Sequence, residues 1–283
     1  MLRTKRARFS STQVIRYIIM VVIALIMLLP LVWLFVSSIR PSGSVFQYTR
    51  ELSIQTFIPK TVTFDNYRYI FTQSKFPRAL FNSLYISLTT AVFGVLVNSA
   101  AGFAFAVFNF KGKNILFILV LLTFMMPIES IVIPLYVLVK AIGWLDTYAA
   151  LIVPSVANGL VIFMFRQFLA SIPKDLFDAA RIDGLSWFGI YRRIALPLAY
   201  PAVLSGALIL FIFQWEAFFW PLVATSSPDY VVVQVAIARN ITFQEIEWGR
   251  LFGTTTLATA VPMLLYIFMQ KYYTRSAVST GFK

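Results

Sequence analysis

Whatever chemistry this chain performs is done without histidine or cysteine, since its 283 residues contain neither. That removes the imidazole base and the thiolate ligand, and with them Ser–His catalysis and the usual zinc sites. Carboxylates remain. Two of the eleven acids, Glu129 and Glu216, stand inside long apolar runs, where a charge is costly and points to a bundle interior or an aqueous cavity. Glu129 sits in Met126-Pro127-Ile128-Glu129-Ser130, and Pro127 with Pro134 frees backbone carbonyls that a cavity would solvate. Glu216 belongs to Gln214-Trp215-Glu216, with Trp220 four residues on. Fixed acceptors beside aromatic faces suit a hydroxyl-rich solute, because hydroxyls need acceptors and C–H faces pack on rings. Trp215 and Trp220 are equally at home in an interfacial aromatic belt, with Glu216 reaching the headgroups. No pair of intramembrane aspartates is present to run an aspartyl mechanism.

The other notable segment is polar, Ser171-Ile-Pro-Lys-Asp-Leu-Phe-Asp-Ala-Ala-Arg-Ile-Asp-Gly184. Ser171 is placed to cap a helix whose first turn holds Pro173 and Asp175, a proline and a carboxylate where both are favoured. Gly184 stands where a left-handed residue would close it, giving a helix over 173–183 about 16 Å long. Lys174 and Asp178 are four apart and can pair along its side. Ala179 and Ala180 leave a low surface on which another protein can come close. Ser186 is placed to cap a second helix from Trp187 to Ala195. On these residues alone, an amphipathic helix resting on lipid headgroups fits as well. No Gly-x-x-x-x-Gly-Lys-[Ser/Thr] loop occurs, so nucleotide phosphates have no cradle here.

The elements that must position these groups follow from composition. Hydrophobic residues make up 59% and charged residues 12% of the chain, against about 25% charged in a soluble domain, which excludes a water-soluble enzyme. Six stretches reach the ~20 apolar residues that cross a ~30 Å hydrocarbon core: about 15–39, 81–107, 115–139, 148–169, 198–224 and 251–270. None alternates as a barrel strand would, so the expected fold is an all-α polytopic membrane bundle. The first run is too long for a cleaved signal core and reads as a retained span. With both termini cytoplasmic, fifteen of the 24 Lys and Arg fall inside, led by Arg3, Lys5, Arg6, Arg8 and the short Lys111–Lys113 link. The organisation is then a basic tail at 1–14, a first span and external loop at 15–75, a core at 76–270 and a tail at 271–283. The core contains the cytoplasmic loop 166–195. Asn98 and Asn158 read as bonds across helices, and Ala100, Ala104 and Gly253 as packing sites. The net charge of +13 suits an anionic lipid face and requires no nucleic acid.

Asp178-Ala179-Ala180-Arg-Ile-Asp183-Gly184, followed by Ile194-Ala-Leu196-Pro197 and Pro201, resembles the Glu-Ala-Ala…Asp-Gly…Ile-x-Leu-Pro loop of permease subunits of binding-protein-dependent ABC importers. Asp178 replaces the usual Glu, and Leu185 the Ala that usually follows the Gly. The resemblance runs from about Phe76 to Gln270. The Gln214–Leu222 stretch and the Ser279-Thr280-Gly281-Phe282-Lys283 tail are similar to the sugar-permease branch, the second membrane subunit of maltose-type transporters. It implies the type I ABC importer transmembrane fold in a bacterial inner membrane. It further implies that Asp178, Ala179, Ala180, Asp183 and Gly184 couple the spans to an ATPase, and that a partner permease supplies most contacts to the cargo. The chemistry and outward position of Glu129, Gln214, Trp215 and Glu216 are what make them the expected lining of an outward-facing vestibule on the substrate pathway. The implied partners are a homologous permease, two ATPase subunits and an extracytoplasmic solute-binding protein that meets the external segment 222–249, where Arg239, Glu245 and Glu247 lie. This chain would hold no cofactor; ATP and Mg would sit on the ATPase subunits. A non-sugar cargo keeps the same loop. A secondary transporter with Glu129 and Glu216 as proton sites would need matched half-repeats with broken helices, and none is visible.

Overall fold

The computed structural model describes residues 11–47, 54–241 and 246–280, with Ser11 and 271–280 as backbone alone. Arg3, Lys5, Arg6, Arg8, Glu245 and the Gly281–Lys283 tip lie outside these. Every regular element among the described residues is helical. The α-helices in chain order are α1 Ser11–Ser38, α2 Asp65–Thr72, α3 Phe76–Val107, α4 Lys113–Met125, α5 Ile128–Ala141, α6 Tyr148–Val156 and α7 Gly159–Ala170. There follow α8 Lys174–Ile182, α9 Trp187–Ile190, α10 Leu196–Leu198, α11 Tyr200–Trp215, α12 Phe219–Ala224, α13 Val233–Ile241 and α14 Trp248–Thr280. Four helical stretches are long and apolar enough to cross a membrane singly, and two bent helix pairs bring the number to six if each pair is one span. This is the expected all-α membrane fold.

The chain divides into two compact units, residues 1–74 with 240–257, and 75–239 with 258–283. In the first, Arg40 is buried and donates from Nη2 to the carbonyls of Gln55 (2.5 Å) and Thr56 (2.8 Å). Asn66 on α2 donates to the carbonyls of Ser38 (2.9 Å) and Arg40 (2.8 Å), tying the end of α1 to α2. Gly253 proves to be a packing site, because a Cβ there would stand 2.8 Å from Ile70 Cδ1.

In the second unit α3 is central, with α6, α7 and α11 packed on it. Lipid tails are as apolar as leucine, so helices join here by close fit and by polar contacts rather than by excluding water. The α3 sequence serves both. Ser83, Ser87, Thr90, Gly94, Asn98 and Gly102 recur at three- and four-residue steps and are all buried. A Cβ on Gly94 would fall 2.6 Å from Leu210 Cδ1, and one on Gly102 only 2.5 Å from Phe165 Cβ. Ala100, expected as a packing site, is instead exposed, and the glycines two and six residues away make the approach.

Asn98 bonds across helices as expected. Its Nδ2 donates to the Val156 carbonyl (2.8 Å) and its Oδ1 accepts from the Asn158 N–H (2.8 Å), satisfying both sides of the break between α6 and α7. Asn158 in turn caps α7 by accepting from Val161 N–H at 3.2 Å. Replacing Asn98 by Leu is expected to cost about 1–3 kcal/mol, because two backbone groups at the break lose their partner. Thermal unfolding in detergent would read this as a lowered midpoint, while Ala100→Leu at the exposed neighbouring turn would leave it nearly unmoved.

The third apolar run is not one straight helix, as its hydropathy suggests. α4 and α5 meet at 101° across Met126-Pro127. Proline forces the residue before it out of the α region and cannot donate to the ladder; Met126 and Pro127 accordingly have ψ of 124° and 140°. The fifth run is also broken, but at both ends. α11 meets the preceding α9–α10 stretch at 83° and stops at Trp215, and α12 is a separate short helix packed on α5 and α6.

Candidate functional site: the loop from Ser171 to Leu198

α7 is terminated by Ser171, whose Oγ donates back to the Phe168 carbonyl at 2.7 Å. Ser171 is thus the end of one helix and not, as its position suggested, the cap of the next. Pro173 takes the N-cap position of α8, which runs from Lys174 to Ile182 with Asp175 in its first turn. The C-terminus closes as the sequence predicted. Gly184 has φ of +86°, the Gly184 N–H donates to the Arg181 carbonyl (3.1 Å) and the Leu185 N–H to the Ala180 carbonyl (3.0 Å). That pair of bonds is a Schellman closure, and it satisfies the last carbonyls at a residue type free to adopt positive φ. Ser186 caps the next helix by accepting from Gly189 N–H at 3.1 Å.

That next helix is not uniform. Trp187–Ile190 is α-helical, Tyr191–Ala195 is a π-helical turn, and α10 follows. The wider turn brings Tyr191 to the inner end of α3, where its hydroxyl meets Ser99 Oγ at 2.7 Å. Around this bond the rings of Phe103, Phe108, Phe177, Trp187 and Tyr191 form a clasp. Phe103 lies 6.0 Å from Phe177, 5.8 Å from Phe108 and 5.5 Å from Tyr191, and Phe108 meets Trp187 edge-on at 4.9 Å. Edge-to-face pairs at such spacings add about 0.5–1.5 kcal/mol each beyond burial. Arg181 completes the arrangement with its guanidinium 5.0 Å from the Trp187 ring and Nη1 donating to the Leu185 carbonyl at 2.9 Å. A short closed helix is thereby keyed to α3.

One face of α8, Phe177 with Ala180, is buried in the clasp. Ala180 is 4% exposed and so is not open to another protein, contrary to the reading of both alanines as a low outer surface. The outward apolar stripe is Leu176, Ala179 and Ile182, with Ile182 87% exposed. Leu176 and Ile182 escaped the sequence reading, although their spacing with Ala179 marks one helix face. Asp175, Asp178 and Asp183 are exposed beside that stripe, giving an apolar strip bordered by acids.

Residues 92–278 match the family model described as the binding-protein-dependent transport system inner membrane component. The chain belongs to this family. The permease is 35% identical over 262 residues to an arabinooligosaccharides transport system permease protein, AraQ, of Halalkalibacterium halodurans, covering 92% of this chain and 93% of that one. It is 35% identical over 250 residues to the trehalose transport system permease protein SugB of Mycobacterium tuberculosis, covering 86% and 88%. Its fold matches a crystal structure of a bacterial ABC transporter involved in alginate import with a TM-score of 0.82 at 19% identity, over 94% of this chain and 99% of that one. The permease thus has the type I importer fold.

The residues expected along the pathway divide into two pairs. Gln214 and Trp215 are buried and committed within the permease: Gln214 Nε2 donates to the Leu151 carbonyl (3.3 Å), and Trp215, 2% exposed, donates from Nε1 to the Ala258 carbonyl (3.2 Å). Trp220 likewise donates to the Ala150 carbonyl at 2.9 Å. Both indoles are buried and fasten helices. Glu216, the C-cap of α11, and Glu129, in the first turn of α5, are both exposed and stand at the helix breaks. Farther along, Arg239 and Glu247 are exposed. Among the described residues no cluster of His, Cys, Asp or Glu is suited to a metal ion.

Proposed function

We propose that the chain is one permease subunit of an ATP-driven importer of a carbohydrate in a bacterial inner membrane. It contributes half of the pathway and takes its motion from separate ATPase subunits through α8. The observation that carries this reading is α8 itself, clasped to α3 on one face and presenting Leu176, Ala179 and Ile182 on the other. Relatives named for arabinooligosaccharides and trehalose support the cargo class. ATP and Mg belong on the ATPase subunits, since this sequence has no phosphate loop. A homologous permease and an extracytoplasmic binding protein complete the assembly.

Reconstitution tests it. Proteoliposomes holding this permease, the partner permease and the ATPase are given binding protein with labelled arabinooligosaccharide, trehalose, an amino acid or a phosphate ester. ATP-dependent accumulation of a sugar is the expected result; accumulation of only a non-sugar solute, or by this chain alone, would overturn the reading. Glu129 and Glu216 are the pathway candidates that remain free to accept from a hydroxyl. Glu129→Gln, which removes a charged acceptor, is expected to lower uptake about tenfold or more at subsaturating sugar. An unchanged uptake rate and unchanged ATPase stimulation would make Glu129 structural.

A further inference from the structure

Beside the loop just described, the second unit holds a cavity of about 470 Å³ at the foot of α4, lined by Asn109, Gly112, Lys113, Asn114, Ile115 and Arg166 among others, none of them acidic. Two cations, Lys113 and Arg166, line this one opening, and the charge of Lys174, outside the lining, also acts on Lys113. Each of the two lining cations is held in place rather than free to swing away. Lys113 Nζ donates to the Phe108 carbonyl at 2.8 Å, and the Arg166 guanidinium lies 4.1 Å over the Phe117 ring. Like charges gathered by fixed side chains repel unless an anion joins them. We infer that this cavity binds the phosphate of an anionic phospholipid headgroup of the inner leaflet.

The shape argues for a lipid over a free anion. From Ile115 the exposed face of α4 continues through Ile118, Leu119 and Leu122, so a cationic cup at the helix foot opens onto a bare apolar stripe. That is the complement of an amphiphile: oxygens below, acyl chains above. The amides of Asn109 and Asn114 add donors for glycerol or phosphate oxygens. The α4 N-terminus, with Gly112 at its cap and no side-chain acceptor in use, contributes positive potential to the same place. Basic pockets between spans on the cytoplasmic side are where such headgroups are held. Because Lys174 opens α8, filling the cup neutralises charge at the root of the helix that meets the ATPase.

The experiment uses the purified full chain in nanodiscs of phosphatidylcholine mixed with phosphatidylglycerol, with lipids retained on the chain counted by native mass spectrometry. Phosphatidylglycerol is expected to be retained preferentially. Lys113→Gln should reduce that preference about fivefold, the equivalent of about 1 kcal/mol, and Lys113→Arg should keep it. Lys174→Gln, at an exposed position outside the lining whose charge acts on Lys113, asks the same question without disturbing the foot of α4 and should give a smaller reduction. Lys111→Gln, outside the cavity, should change nothing. Equal retention in wild type, Lys113→Gln and Lys174→Gln would overturn the inference, and so would an equal loss in Lys111→Gln, which would mean a diffuse surface field. In nanodiscs of phosphatidylcholine alone with added inorganic phosphate, a phosphate adduct coupled with no lipid preference in the mixed discs would also overturn it, assigning the cup to the free anion.

Discussion

Ile182→Asp is expected to abolish ATP-dependent uptake and copurification of the ATPase while leaving the permease folded. The side chain is 87% exposed on a helix whose other face is engaged, so the chain loses no burial by the change. An acid in the last turn, four residues from Asp178 and beside the C-cap Asp183, costs it only some tenths of a kcal/mol to about 1 kcal/mol. At a docked interface the balance is different. Burying an isoleucine contributes about 1.5–3 kcal/mol, and an unpaired carboxylate in the same place adds a desolvation cost. A loss of about 3 kcal/mol or more corresponds to over a hundredfold in affinity. Ala179→Trp, on the same stripe, should act by bulk, and Asp178→Lys by charge reversal. Affinity capture with the ATPase, uptake in proteoliposomes and a thermal midpoint together check the expectation. Full uptake by both Ile182→Asp and Ala179→Trp would remove the coupling role from α8.

Gly102→Val is expected to act in the opposite way, through the fold. A Cβ at Gly102 would lie 2.5 Å from Phe165 Cβ, 3.0 Å from the Arg166 backbone N and 3.1 Å from the Phe165 carbonyl C. Backbone cannot swing aside as a side-chain tip can, so α3 and α7 must part along their length. With no excluded-water force to hold helices together in lipid, lost close contact is not made up elsewhere. Overpacking typically costs about 1–3 kcal/mol and here should reach the upper end, lowering the unfolding midpoint and the yield of monodisperse protein. Gly43→Ala, with nothing within 4 Å of its Cβ, is the matched control and should leave both unchanged.

What the sequence made legible was governed locally. Gly184 and Ser186 were readable because positive φ and the three-residue reach of a cap are properties of a few neighbouring residues. The two alanines of the loop were not separable in that way. Which of Ala179 and Ala180 faces inward is decided by Phe103, more than seventy positions earlier in the chain, through its contact with Phe177. Trp215 shows the same limit, since its indole is fixed by the carbonyl of Ala258 and no local pattern distinguishes that from a belt or a cavity wall. The bend at Met126-Pro127 was written in the residues, yet hydropathy along the run measures apolarity and carries no direction, so the 101° turn stayed hidden in it. Ser171 satisfies the rules both for ending a helix and for starting one, and the carbonyl of Phe168 decides between them.

The length of α3 has a mechanical consequence. At its inner end it carries Phe103 in the clasp; near its outer end Asn82 Nδ2 holds the carbonyls of Asp229 (2.8 Å) and Val231 (2.9 Å). The two residues are about 31 Å apart along one unbroken axis, whose only proline, Pro77, lies in its first turn. A rod of that span turns small angles into useful strokes: pivoted at one end, a tilt of roughly 5° sweeps the other through nearly 3 Å. The chain between Asp229 and Val231 is gripped by that far end, so under the proposed coupling any tilt of α3 set at the clasp is handed to this external turn.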